Sequence, residues 1–339
     1  MIRHLLPAEG QFYKANLHCH TTNSDGKLTP EEVKAAYKAQ GYSVVAYTDH
    51  NVMVPHPELC DADFIALTGY EINVNEESDK ERRLRKTCHI CLIALSPDTK
   101  TQVCYHREKY LSRGALAWKD KVVFDESLPD YERVYTPECI NDIIKTARQS
   151  GFYVTYNHPG WSLEDLTDYG NYHGMHAMEI VNFGCVVEGY PDYNEKDYDH
   201  ILRGGERIFC IATDDNHNKH PFGDTHCDSF GGFTMIRAEE LSYTAITDAL
   251  LAGSFYASEG PEIHSLTLED TTLRITCSGA RSIALSTGRR RTAIRYATDA
   301  PLTEASFEID PEDIYVRVTV TDASGKHANT NAYFVDELL

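Results

Sequence analysis

Seven short apolar runs punctuate the first 255 residues, separated by stretches of helical periodicity, and this alternation constrains the fold more than any other feature. The runs are Lys14 to His18, Val44 to Thr48, Phe64 to Leu67, His89 to Ala94, Tyr153 to Asn157, Ala177 to Val181 and Ile208 to Thr213. Strand followed by helix, repeated, is the pattern of βα units, and seven repeats suggest a barrel. Helix boundaries are marked locally. Thr29, Pro30 and Glu32 make a capping box closed by Gly41. Thr136-Pro137-Glu138 opens a second helix that Gly151 stops, and a third covers Ser242 to Ala252. Residues 97–135 fit no βα unit and read as an insertion near the mouth of the barrel.

Beyond Gly260-Pro261 the periodicity changes from 3.6 to 2. Leu266 and Leu268, then Leu273, Ile275 and Cys277, then Tyr315 to Val320 alternate between turn signals such as Ser278-Gly279 and Ser324-Gly325. The expected division is therefore a barrel over residues 1–260 and a small antiparallel, sandwich-like β domain over 261–339.

Histidines and acids fall at the strand ends, chiefly the C-terminal ends, where barrels of parallel strands build their sites. The first run ends in His18-Cys19-His20, with both imidazoles on one face by strand alternation, and Asp25 follows in a turn. The others supply Thr48-Asp49-His50, Gly69-Tyr70-Glu71, His89, Asn157-His158-Pro159, Glu179 and Asp214-Asp215-Asn216-His217. Imidazole with carboxylate favours Zn²⁺, Mn²⁺ or Fe²⁺ over Ca²⁺, and so many donors exceed what one ion can use. Two or three divalent ions are implied, with a carboxylate such as Glu71 suited to bridging two of them. Cys88 and Cys91 form a CxxC inside an apolar run, where alternation would point neighbouring residues to opposite faces and make a poor zinc cage.

Taken together, the succession HCH, DG, TDH, GYE, CHI, NHP and DDNH resembles the PHP (polymerase and histidinol phosphatase) superfamily in order and spacing across about residues 13 to 220. The resemblance implies a distorted (β/α)7, TIM-like barrel, a trinuclear metal centre and phosphoester hydrolysis. The run from Leu251 to Glu262, followed by a β domain, is similar to a subgroup that includes carbamate-hydrolysing relatives. By position, the resemblance places His18, His20, Glu71 and Asp215 around a first ion. Glu71, His89 and His158 would hold a second, and Asp25, His50 and His217 a third, with Asp25 standing where some relatives use histidine.

The expected catalytic positions are Glu71, Asp215 and His217, the last competing with a metal-bound water as the acid for the leaving group. Asp49 reads as an acceptor orienting an imidazole. Asp214 is either structural or an outer partner, and Glu179 either supports a ligand or is a satisfied buried acid. For substrate, Arg82, Arg83 and Arg85 offer a phosphate grip or a solvated loop. Trp161 offers a stacking face or a rim contact, and Lys219 and His226 complete the set.

The leading expectation is hydrolysis of a small phosphate monoester, a nucleotide or sugar phosphate. The alternatives are a carbamate or ester hydrolase and a non-catalytic metal-binding module. A formal charge of -20 opposes binding of nucleic-acid polymers or anionic membranes. No run of 18 apolar residues occurs, and the ten scattered cysteines read as reduced thiols, so a cytoplasmic location is expected.

Overall fold

The structure, a computed structural model, describes residues 2–339. Its first strands and helices are β1 (Ile2–His4), β2 (Gln11–Asn16), α1 (Pro30–Ala39), β3 (Tyr42–Tyr47), β4 (Ile65–Asn75), β5 (Thr87–Ala94), α2 (Pro137–Gln149), β6 (Phe152–Tyr156) and α3 (Leu166–Tyr169). There follow β7 (Ala177–Asn182), α4 (Phe183–Val187), α5 (Glu195–Arg203), β8 (Phe209–Thr213), β9 (Phe233–Ala238), α6 (Tyr243–Leu251) and β10 (Phe255–Ser258). The remainder is β11 (Ile263–Glu269), β12 (Thr272–Ala280), β13 (Ser282–Thr287), β14 (Thr292–Tyr296), β15 (Leu302–Glu308), β16 (Tyr315–Thr321), β17 (His327–Thr330), β18 (Tyr333–Phe334) and α7 (Val335–Leu338).

The three helices marked in the sequence form where their caps place them. Thr29 and Glu32 close a reciprocal capping box on α1, Thr136 accepts from the Cys139 amide on α2, and Ser242 caps α6. Thr29→Ala is expected to lower stability by about 1 kcal/mol, read as a shifted urea midpoint at unchanged slope; an unchanged midpoint would deny the cap its role.

The seven anticipated strands are present, but they do not form an unbroken parallel series. Strands β2, β3 and β4 pair parallel, as do β6, β7 and β8, whereas β5 runs antiparallel to both β4 and β6. No helix separates β4 from β5, only a loop with a 3-10 turn at Arg82–Leu84, so the chain reverses directly. Three strands before residue 260 went unanticipated: β1, β9, which lies antiparallel beside β2, and β10, which lies beside β9.

The far edge of this arc comes back to its start. Thr234 of β9 donates from Oγ1 to the Ala212 carbonyl of β8 at 3.0 Å, Asp215 N donates to His18 O at 3.0 Å, and Cys19 bridges Asn216. Helices α2 and α6 cover the outside, burying Ile140, Ile143, Ile144 and Ile246, Leu250 against the sheet.

The C-terminal strands are antiparallel, and the alternation read in the sequence faces inward: Leu266, Leu268, Leu273 and Ile275 are buried against Ile283, Leu285, Val316 and Val318. One sheet has the order β1-β11-β12-β15, so the extreme N-terminus joins the C-terminal strands rather than the region before residue 260. The other continues across the anticipated boundary, because β10 pairs with β17 in a 14-stranded sheet. Arg317 fixes the junction: buried on the second face of β16, it meets Asp199 and Glu195 of α5 at 2.9 Å each. All ten cysteines are free and seven are buried, and no helix of the described residues is long and apolar enough to cross a membrane.

Candidate metal centre

The nine residues expected to bind metal converge, although two of the local readings that led to them change. Strand β2 ends at Asn16, and His18-Cys19-His20 lies just beyond it. Cys19 is held into the core, its carbonyl taking the Thr48 amide at 2.9 Å, and both imidazoles turn the other way. Glu71 sits in the middle of β4 rather than at a strand end. His89 lies near the start of β5, and because β5 runs in reverse, that start lies beside the residues just after Glu71: Asn73 pairs with His89 in the ladder, and Glu71 with Cys91. His158 and Asp215 take positive φ values of +28° and +50°, backbone conformations that non-glycine residues adopt under constraint and that cluster at functional sites.

Glu71 is the hub. Its Oε1 lies 3.0 Å from His89 Nδ1 and 3.3 Å from both His18 Nε2 and His158 Nε2; its Oε2 lies 2.9 Å from His50 Nδ1 and 3.4 Å from His20 Nε2. Asp215 Oδ1 stands 3.0 Å from His20 Nε2 and 3.3 Å from His18 Nε2. Asp25 Oδ1 stands 3.4 Å from His217 Nε2 and 3.8 Å from His50 Nε2.

The sets also overlap. Donor atoms of His20, Asp25, His50 and His217 lie within 4.8 Å of one another, as do those of His18, His158 and Asp215, and those of His18, Glu71 and Cys91. His20 thus stands between two of the anticipated sets, and His158 belongs with Asp215 as much as with His89. Cys91 of the dismissed CxxC reaches the cluster, but burial holds its thiol up at about 11.

Whether this donor set suits cations is answered by its unpaired atoms. His20 Nδ1 is buried with no hydrogen-bond partner, and Glu71 Oε2 and Asp215 Oδ1, also buried, meet only imidazole nitrogens and make no aligned hydrogen bond, an arrangement that is unfavourable for polar atoms unless something positive is to be bound among them. The imidazoles overcome the cost of burial and hold Glu71 and Asp215 well below the usual carboxylate range, so both are anionic. Burial, then the neighbouring His50 and His217, lower His20 to about 3, leaving it the neutral imidazole a cation requires.

The outer residues sort out differently from one another. Glu179 lies 2.7 Å from His18 Nδ1 and accepts from Thr213 Oγ1 at 2.6 Å and the His158 amide at 3.0 Å, so it is both a satisfied buried acid and the group that orients His18. Asp49 touches no imidazole, contrary to expectation. It accepts from Thr21 N and Oγ1 at 2.8 Å and from Ser24 Oγ at 2.6 Å, because it lies under the loop that carries Asp25 and fixes that loop instead. The Asp214 carboxylate is hydrogen-bonded to Tyr37 Oη and to the amides of Phe230, Gly231 and Gly232, and to none of the nine residues expected to bind metal.

Seven of the nine, all but His18 and His20, line a cavity of about 680 Å³. Arg82, Trp161 and Lys219 line it, whereas Arg83, Arg85 and His226 do not: Arg85 turns back to the Lys80 carbonyl, and His226 lies exposed against Asp224. Trp161 stands edge-on to His89 and His158, with ring centroids 5.2 and 5.1 Å away, and its amide is held by Asp192. Sequence reasoning missed Arg113, whose Nη1 lies 2.7 Å from Asp25 Oδ2, since residues 97–135 carry no periodic signal. It also missed Asn73 and Asn75, which strand alternation from Glu71 would have found.

The loop leading on from His158 is anchored by Glu164, a buried carboxylate that accepts from Tyr135, Tyr156 and Tyr172 at 2.8, 2.7 and 2.6 Å. Burial pushes its carboxyl up from 4.5 to about 7 despite those three donors. The folded protein therefore holds this proton where the unfolded chain releases it. The contribution is complete below about pH 4.5 and is lost as pH rises towards 7, a swing of about 3 kcal/mol. Urea midpoints of Glu164→Gln are expected to flatten across that window relative to the wild type; parallel profiles would contradict the assignment.

A family profile for the PHP domain matches residues 16–152. A 5'-3' exoribonuclease of Haemophilus influenzae is 38% identical over 68 residues, which cover 19% of this chain and 25% of the exoribonuclease. Among solved structures, a two-domain protein of Bacteroides vulgatus containing a PHP-like metal-dependent phosphoesterase aligns over 97% of both chains with 17% identity and a TM-score of 0.43. A protein of Bifidobacterium adolescentis described as a metal-dependent phosphoesterase aligns over 64% of this chain and 91% of its own, with 16% identity and a TM-score of 0.35.

Proposed function

Since the chain carries a PHP domain over residues 16–152, we propose that it is a metal-dependent phosphoesterase hydrolysing a small phosphate monoester, a nucleotide or a sugar phosphate. The observation that carries this reading is the convergence of five imidazoles on Glu71, within 2.9 to 3.4 Å of its carboxylate oxygens, with Glu71 and Asp215 both lining the cavity. The architecture we infer is a distorted (β/α)7 barrel, its closure supported by the contacts of β8 with β9 and of Cys19 with Asn216.

His18, His20, Asp25, His50, Glu71, His89, His158, Asp215 and His217 are the residues we assign to hold two or three divalent ions, for which mixed nitrogen and oxygen donors favour zinc, manganese or iron. Such ions would supply a water nucleophile at neutral pH and neutralise charge on the phosphoryl oxygens. The chain's own groups do the rest. Glu179 fixes the ring of His18, and Asp49 fixes the loop of Asp25, so that the donors are held in place before substrate arrives. Arg82, Arg113 and Lys219 place positive charge around the cavity, which draws a small anion into a protein of strongly negative net charge. Glu71, Asp215 and His217, which line the cavity, are the positions we assign to catalysis.

The test is release of phosphate from a panel of phosphate monoesters by the purified chain with Mn²⁺ or Zn²⁺, run beside aryl carbamates. Phosphate release is expected. Turnover of carbamates alone would replace this reading with a carbamate hydrolase, and bound metal without any turnover would leave a non-catalytic module.

A further inference from the structure

Glu71, Asn73 and Asn75 occupy alternate positions of β4, and all three line the cavity, stepping outward from the proposed metal centre. Behind them lies Arg133, buried to 6% exposure and with no carboxylate at ion-pair distance among the described residues. Its Nη1 donates to Asn51 Oδ1 and, at 3.1 Å, to the Asn73 carbonyl, and its guanidinium stacks 4.3 Å over Tyr110. A guanidinium can only donate, so it dictates the orientation of the amide it meets. Asn51 must turn Oδ1 to Arg133, and its Nδ2 then donates to Asn73 Oδ1 at 2.7 Å and to the Tyr110 carbonyl at 3.1 Å. With its own oxygen occupied in this way, Asn73 is left with Nδ2, which makes no hydrogen bond among the described residues and belongs to the cavity wall.

We propose that Asn73 is a specificity-determining residue whose Nδ2, oriented by the Arg133–Asn51 relay, donates to an oxygen acceptor on the leaving group of the substrate. Two residues of strand advance about 6 to 7 Å, so the acceptor lies about that far from the phosphoryl group bound at Glu71. This selects phosphate esters of sugar-like alcohols, which carry a hydroxyl or ring oxygen at that reach, over esters of plain hydrocarbon alcohols or phenols. The proposal rests on the phosphoesterase reading and names the leaving group that reading leaves open.

The experiment compares ribose 5-phosphate with phenyl phosphate, whose ring has no acceptor, on metal-loaded wild type, Asn73→Ala and Asn73→Asp. In both variants KM for ribose 5-phosphate is expected to rise about tenfold at little changed kcat, the size of one lost hydrogen bond, with a larger rise for the aspartate, which repels acceptors. In Asn73→Ala both constants for phenyl phosphate should stay within about twofold. Equal losses on the two esters, no loss on either, or a wild type that turns over phenyl phosphate and not ribose 5-phosphate would overturn the role of Asn73 while leaving the phosphoesterase intact. If no monoester of the wider panel is hydrolysed, the phosphoesterase reading and the assignment that rests on it both fall; if others are hydrolysed but neither of these two is, the reading stands and binding decides the role of Asn73. The same proteins are then compared by equilibrium binding of the two esters, read from tryptophan fluorescence beside Trp161. Tighter binding of ribose 5-phosphate that Asn73→Ala abolishes sustains the assignment, and equal affinities end it.

Discussion

Glu71→Ala is expected to abolish turnover, lowering kcat/KM on the order of a thousandfold or more, together with a loss of bound metal. Five imidazoles approach the two oxygens of this carboxylate at 2.9 to 3.4 Å, so its removal takes the central negative charge out of a cluster built around it. The loss should be one of function more than of folding. The carboxylate's Oε1 takes the Asn157 side-chain amide at 3.1 Å as well as His89 and His158, so a somewhat lower urea midpoint accompanies the loss, while the neighbouring histidines can remain neutral in their buried positions. Activity and metal content are measured alongside a urea midpoint; wild-type turnover by the variant would remove Glu71 from the chemistry.

Asp214→Ala is expected to have the opposite profile, a loss of about 3 to 5 kcal/mol in stability. The Asp214 carboxylate is fully buried and accepts from Tyr37 Oη at 2.8 Å, Phe230 N at 2.7 Å, and the amides of Gly231 and Gly232 at 2.9 Å each. Truncation leaves four buried donors unpaired. The two glycines allow this approach: a Cβ on Gly232 would lie 2.3 Å from the Thr213 carbonyl, and one on Gly231 would lie 2.2 Å from the Phe183 ring. Burial also raises the Asp214 carboxyl to about 6, so its proton is held in the fold over a range where the unfolded chain gives it up. Denaturant unfolding of Asp214→Ala beside Asp215→Ala separates the neighbours: the first should lose stability, the second metal. An unshifted midpoint for Asp214→Ala would show that those donors find other partners.

The sequence carries the inner site better than the surroundings of that site. His18 and His20, His50, His158, Asp215 and His217 follow apolar runs, and a chain that leaves a buried strand must place its next residues at the edge of the sheet, so their convergence was legible. The resemblance placed Asp215 at the first ion, and its D-x-H spacing to His217 favours it over Asp214. Strand direction was not legible. Nothing in Thr87 to Ala94 tells a parallel strand from an antiparallel one, because a strand buried on both faces reads as a continuous apolar run in either case. His89 was therefore placed correctly for an incomplete reason. Asp49 was misassigned because proximity in sequence to His50 says nothing of which way a buried carboxylate turns, and here the Thr21 and Ser24 donors claim it. Arg113 and Arg133 come from an aperiodic segment, where only tertiary contacts decide which side chain reaches the cavity. The pairing of β10 with β17 was hidden for a similar reason, since a change of periodicity marks where local structure alters and not where a sheet stops.

The most direct measurement is elemental analysis of the chain purified without chelator, repeated on Glu71→Ala. Two or more equivalents of zinc, manganese or iron in the wild type, falling sharply in the variant while both remain folded, is the predicted result. A folded wild type that binds none of these ions, even after incubation with each, would contradict the claim that these nine side chains form a metal centre.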